Sequence, residues 1–195
     1  MVDQPSKIHI ITLAGQPGSG KSVTSKGVAA TLGYDHFSSG DLFRHIGSEL
    51  GLDVLHTNLL AEYQKGIDEL VDERLRQIGV TQDKLVIDSR TAWHWIPQSF
   101  KVFLDLDLEI AANRIIANTD PERRASEHIP EDPKAYAQVL QERLDSEARR
   151  YKKLYDINPY DKANYDMVVD TGVNTVEEVV GRIVERYRLW QTETE

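Results

Sequence analysis

The sequence predicts an α/β fold with a mainly parallel sheet. Short apolar runs alternate with longer stretches of helical periodicity. The first run ends at a glycine-rich loop that opens a helix. The chain has 195 residues, of which 40% are hydrophobic, which suits one domain with a well-packed core.

Each element follows in order. Lys7–Ala14 (KIHIITLA) reads as a buried strand stopping at a glycine loop. Lys21–Leu32 is a helix closed by Gly33. Tyr34–Ser38 is a second strand, Asp41–Leu50 a helix stopped by Gly51, and Asn58–Gln77 a longer helix ending at Gly79. Lys84–Asp88 (KLVID) and Lys101–Leu106 (KVFLDL) are strands three and four. Asp107 is the N-cap of a helix reaching Asn118. Residues 119–132 read as a loop. Asp132-Pro133 opens a helix running to about Tyr155, with proline suited to its first turn. Asp166–Asp170 is a fifth strand, and Thr175 with Glu178 forms a capping box for the last helix.

Composition excludes several classes. The net charge of −9 argues against nonspecific binding to nucleic acid or anionic membrane. Cysteine is absent, so disulfides and thiolate zinc sites are excluded. The six histidines form no HExxH pattern. Met1–Lys7 is polar, and no apolar run is long enough to span a bilayer. A soluble, cytoplasmic protein is the expectation.

Gly15-Gln16-Pro17-Gly18-Ser19-Gly20-Lys21-Ser22 matches GxxxxGKS at every fixed position, between a predicted strand and a predicted helix. Glycines let the backbone wrap closely around phosphate. The wrapped amides form an anion nest, and the helix that starts there presents its positive end. Lys21 is expected on the β- and γ-phosphates of a nucleoside triphosphate, Ser22 on Mg²⁺, and Val23 at the edge of the same site. Gly18-Ser19-Gly20 is not followed by the spacing of a dinucleotide fingerprint, and no NKxD segment marks a GTPase.

Two arginines follow predicted strands. Arg44 lies in Ser38-Ser39-Gly40-Asp41-Leu42-Phe43-Arg44, and Arg90 ends Val86-Ile87-Asp88-Ser89-Arg90. The carboxyl ends of strands line the binding crevice of an open parallel sheet. Two planar guanidiniums there suit a second phosphate group, that of an acceptor.

These segments resemble the cytidylate kinases of the compact archaeal and bacterial type, within the nucleoside monophosphate kinases. SSGDLFR is similar to that family's acceptor motif. Ile67-Asp68 followed by Val71-Asp72 and Arg74 resembles a segment of its acceptor-binding helices. Arg143, Ser146, Glu147, Arg150 and Tyr151 match its R..SE..RY pattern, and Asp166–Thr171 resembles its last strand. The chain departs from the family at Asn118, where a second arginine often follows Arg114, and at Asp88-Ser89, where glutamate-glycine is common.

The resemblance implies a P-loop NTPase fold, three-layer α/β/α on a five-stranded parallel sheet. It implies a single kinase domain over residues 1–195, with a helical acceptor-binding insertion at about 41–80 and a short lid at about 119–132. It implies transfer of the γ-phosphoryl of ATP to CMP or dCMP. Ser39, Gly40, Asp41, Arg44, Asp72 and Arg90 would hold the acceptor. Ser22 and Asp88 would hold Mg²⁺, Asp88 through a water. Lys21, Arg143 and Arg150, with Arg123 or Arg124 from the lid, would close over the transferred group. Arg143 and Arg150 are seven positions apart and share a helix face.

Two other readings remain open. A related small-molecule kinase would act on another nucleotide, or on an alcohol such as shikimate or gluconate with Asp41 as base. A regulator would bind nucleotide without turnover. Asp105-Leu106-Asp107-Leu108-Glu109 reads as a strand end and helix cap rather than a metal cluster, and the tryptophans of Thr91-Ala92-Trp93-His94-Trp95 either stack on a base or serve packing. No macromolecular partner surface is evident.

Overall fold

The computed structural model describes residues 9–49, 51, 66–126 and 129–193. Five strands form one sheet: β1 (Ile10–Gly15), β2 (Asp35–Ser38), β3 (Leu85–Asp88), β4 (Phe100–Asp105) and β5 (Met167–Asp170). Their order is β2-β3-β1-β4-β5, and every neighbouring pair is parallel. Asp88 pairs in register with Leu13 on one side and Ser38 on the other, so the carboxyl ends of β1, β2 and β3 lie together.

The helices are α1 (Lys21–Leu32), α2 (Ser39–Glu49), α3 (Gly66–Thr81), α4 (Ala92–Trp95), α5 (Leu108–Asn118), α6 (Pro121–Ser126), α7 (Pro133–Tyr155) and α8 (Val176–Glu193). The central strand β1 is buried on both faces, as its unbroken apolar run requires. Ile11 and Leu13 pack with Val28 and Ala29 of α1 and with Ile183 and Tyr187 of α8. Ile10, on the opposite face, packs with Leu75 and Ile78 of α3 and Ala92 of α4. These are the three layers. Tyr136 and Leu140 of α7 pack on Ala111 and Ala112 of α5 in a separate cluster.

The capping signals are realised. Asp107 accepts from the amides of Glu109 and Ile110, and Asp132 from that of Ala135. The Thr175 amide donates to Glu178, whose own amide donates to the Thr175 hydroxyl. Helix α1 has the expected ends.

Other expectations are corrected. Residues 119–132 are not simply a loop, because α6 forms there. Pro121 pre-sets the first helical turn, and the Arg124 amide closes it onto Asp120 O at 2.9 Å. Helix α2 starts at Ser39 rather than Asp41. Helix α3 runs through Gly79 instead of stopping there. A Cβ on Gly79 would lie 3.0 Å from Ile96, so that glycine serves close packing. The short helix α4 was not foreseen. Of the helix expected at 58–77, positions 58–65 lie outside the described residues, as does the expected strand start at Lys7 and Ile8. Among the described residues, no helix is long and apolar enough to cross a membrane.

Candidate active site

The loop between β1 and α1 is shaped by its backbone. Gly18 and Gly20 take left-handed φ values of 73° and 80°. Gly15 meets β4 so closely that a Cβ would sit 2.5 Å from Leu104 O. The Gln16 side chain accepts the Leu106 amide at 2.7 Å and ties the loop to the end of β4. The Lys21 ammonium folds back over the loop and donates to Gly15 O at 2.9 Å and Gln16 O at 3.1 Å. The Ser19 hydroxyl is buried in the loop and has no hydrogen-bond partner among the described residues. Burial, then the positive charge of Arg90, lower the Lys21 pKa to about 8 against the opposing pull of Asp88 and Glu147.

Two hard oxygens meet at the start of α1. The Ser22 hydroxyl donates to Asp88 Oδ2 at 2.7 Å, and Asp88 ends β3. The Ser39 hydroxyl donates to Asp88 O at 3.3 Å, which brings the start of α2 to the same corner. A hydroxyl and a carboxylate at this separation fit a small hard cation whose remaining ligands are water and phosphate. The described residues contain no cluster of three or more histidine, aspartate or glutamate side chains able to hold a metal by themselves.

Beside this corner lies a group of charges. Glu147 of α7 pairs with Arg90 through Nε at 2.9 Å and with Arg143 at 3.2 Å. Tyr160 donates its hydroxyl to the same Glu147 carboxylate. Burial alone would raise the Glu147 pKa. Arg90 and Arg143 overcome it and hold the carboxyl at about 2. Glu147 in turn raises Arg90, which stays charged throughout the working pH range.

Several expected contacts take other forms. The Asp72 carboxylate is held by donors from the protein itself. It is 3% exposed and accepts from Trp95 Nε1 at 2.7 Å, from the Thr91 hydroxyl at 3.3 Å and from the Tyr155 hydroxyl. It is a structural hub joining α3, α4 and the end of α7. Arg124 is held by backbone carbonyls at the end of α5. Its guanidinium donates to Ile116 O at 2.8 Å and Thr119 O at 3.4 Å and caps the open end of α5. Arg150 lies against Tyr151, 5.1 Å from the ring centre. Gly40 and Asp41 sit in the first turn of α2. The side chains of Arg44, Asp68 and Arg123 lie outside those described.

A cavity of about 570 Å³ opens beside the loop. It runs from Gly18–Gly20, Val23 and Thr24 to Arg114, Asn118 and the segment Thr171–Val176. The sequence reading missed Thr171, Asn174 and Thr175 as site residues. The signal was available, because they follow β5 as Arg90 follows β3. Arg114, noted for its missing neighbour, holds this wall by donating to Thr171 O at 2.7 Å.

A five-stranded parallel sheet with this phosphate loop and this charge cluster defines the class of P-loop small-molecule kinases. Solved structures agree on the fold. Shikimate kinase from Bacteroides thetaiotaomicron is similar at TM-score 0.65 and 15% identity, covering 93% of this chain and 99% of that one. Shikimate kinase from Aquifex aeolicus is similar at TM-score 0.56 and 20% identity, covering 90% and 94%. Residues 10–173 match the Cytidylate kinase-like family. The cytidylate kinase of Haloquadratum walsbyi is 36% identical over 165 residues, 83% of this chain and 80% of its own length. That of Methanothrix thermoacetophila is 35% identical over 163 residues, 84% and 88% of the two chains. The chain belongs to the cytidylate kinase-like family.

Proposed function

We propose that this protein is a nucleoside monophosphate kinase that transfers the γ-phosphoryl group of ATP to the 5′-phosphate of CMP or dCMP. The observation that carries this reading is one convergence. Lys21, the Ser22–Asp88 pair and Arg90 meet where β1 and β3 end, and Glu147 holds Arg143 beside them. Family membership supplies the acceptor class.

The acceptor phosphate is already an anionic nucleophile, so no strong base is needed. Its oxygen forms a bond to the γ-phosphorus as the bond to the β–γ bridging oxygen breaks, and ADP leaves with that electron pair. The protein's task is alignment and charge neutralisation. The loop amides and Lys21 hold the donor phosphates, and the cavity along Thr171–Val176 receives the donor nucleoside. Arg90, with Arg44, orients the acceptor, and Ser39, Gly40 and Asp41 border it. Arg143 and Arg150 approach the moving group. Ser22 and Asp88 would hold Mg²⁺, which adds positive charge to the donor phosphates when bound. Residues 41–80 serve as the acceptor-binding insertion and 119–132 as the lid, on one kinase domain. Arg123 or Arg124 of the lid joins Arg143 and Arg150 over the transferred group.

Purified protein with ATP and Mg²⁺ is offered CMP, dCMP, UMP, AMP and shikimate separately, and ADP formation is followed. CMP or dCMP is expected to turn over fastest. Lys21→Ala is expected to lower that rate by about 10³-fold or more. Turnover of shikimate alone would move the protein to the alcohol kinases. ATP binding without turnover of any acceptor would make it a regulator.

A further inference from the structure

We infer that Tyr160 is a positioning residue of the transfer site, whose hydroxyl restrains Glu147 and so leaves Arg90 and Arg143 able to take an incoming phosphate. The inference rests on the reading of those arginines as phosphate-binding groups. Glu147 is the competitor that the acceptor must meet. It is a partly buried carboxylate, 13% exposed, between two guanidiniums. A carboxylate left alone with Arg90 would take the paired, two-pronged grip that arginine offers to carboxylate and phosphate alike. That grip would occupy the same face of the guanidinium that a phosphate needs.

The observed contact is different. Glu147 Oε2 lies 2.9 Å from Arg90 Nε, yet among the described residues that buried Nε has no acceptor in line for a hydrogen bond. The same oxygen accepts the hydroxyl of Tyr160, which also lies against the Arg90 guanidinium and so stands between the two charges. The tyrosine holds it off the line that would join it to Arg90.

Tyr160 is well placed for this because it does not belong to α7. Its amide donates to the Asn158 side chain at 3.0 Å, and the Tyr165 hydroxyl closes the turn on Pro159 O at 2.6 Å. Its ring packs with Ala14, Trp93 and Phe103, and Ala14 directly precedes the phosphate loop. The hydroxyl therefore refers Glu147, on a helix that follows the lid segment, to the sheet that fixes the loop. The phenol keeps its proton at all working pH values, because burial raises its pKa well above the ordinary range.

The test is a double-mutant cycle of Tyr160→Phe and Glu147→Gln, reading KM for CMP, KM for ATP, kcat and thermal unfolding. The phenylalanine keeps the ring and its packing. Tyr160→Phe is expected to raise KM for CMP about tenfold and leave KM for ATP within about twofold, and to add little once Glu147 is Gln. The same factor in both backgrounds would mean that the hydroxyl acts independently of Glu147, through its direct contact with Arg90, which overturns the inference. An unchanged KM for CMP in Tyr160→Phe overturns it while the kinase reading stands. A wild-type protein that does not phosphorylate CMP removes both.

Discussion

The phosphate loop takes its shape from backbone, whereas Arg90 and Arg143 beside it are held by side chains drawn from separate parts of the chain. On the donor side, left-handed glycines, a close strand contact and a helix start do the work within Gly15–Ser22. On the side proposed for the acceptor, Arg90 pairs with Glu147 of α7, which accepts from Tyr160 beyond that helix. Asp72 joins α3 to Trp95 and Tyr155 in the same manner. The donor phosphates are the same for every substrate of such an enzyme, so a fixed backbone cradle serves them. The acceptor must enter, be matched and leave, and side-chain networks can be retuned without moving the sheet.

The sharpest way to break the comparison is to disturb the backbone side with the smallest possible group. Gly15→Ala places a methyl 2.5 Å from Leu104 O, a backbone atom of the central sheet that cannot give way. Either β1 or the loop must shift. A displacement of about 1 Å at the phosphates is expected to lower kcat/KM for ATP by about 10²-fold. Overpacking is expected to cost about 1–3 kcal/mol of stability by urea unfolding. Steady-state kinetics and a denaturation curve check both. A harmless Gly15→Ala would mean that the loop is not backbone-limited.

The same contrast explains what could be read in advance. The loop was legible because all its parts are contiguous and its chemistry demands glycine and lysine at fixed spacing. Arg90 and Asp88 were legible from their place at a strand end. Glu147 was visible only as one letter in R..SE..RY, since nothing in the sequence pairs it with Arg90. Tyr160 carried no signal. Asp72 and Arg124 have internal partners that no local sequence pattern announces. A charged residue near a site reads as a ligand until its internal partners are seen, and theirs are Trp95, Thr91 and Tyr155 for one, Ile116 O and Thr119 O for the other. Helix α6 was missed because six polar and small residues carry no apolar period.

A smaller effect sharpens the side-chain half. Tyr155→Phe removes the donor to Asp72 Oδ2 and leaves a buried carboxylate oxygen unsatisfied. The expected loss is about 1–3 kcal/mol at neutral pH, read by urea unfolding. Burial already raises the Asp72 pKa, and losing a donor to the charged form raises it further. A carboxyl whose folded pKa exceeds its unfolded one binds protons more tightly when folded, so acid favours the fold. The deficit of Tyr155→Phe is therefore expected to narrow in mildly acidic buffer. A deficit that widens there would mean that Asp72 is not the group left unsatisfied. KM for ATP is expected to stay put, since the hub touches no part of the loop.

The smallest expected effect separates the two halves by pH alone. In the free enzyme Lys21 has a pKa of about 8, lowered first by burial and then by Arg90. It is charged below that value and loses its charge as pH rises through it. Arg90 moves the other way, raised by Glu147, and keeps its charge. Because kcat/KM reports the free enzyme, kcat/KM for ATP is expected to fall above pH about 8, by up to tenfold per unit. The affinity for CMP alone, measured by calorimetry, is expected to stay flat over the same interval. A parallel decline of both would tie the acceptor to Lys21 and erase the division between a backbone-built donor side and a side-chain-built acceptor side. A flat ATP profile would mean that the bound phosphates, not the apo environment, set the charge of Lys21 from the first encounter.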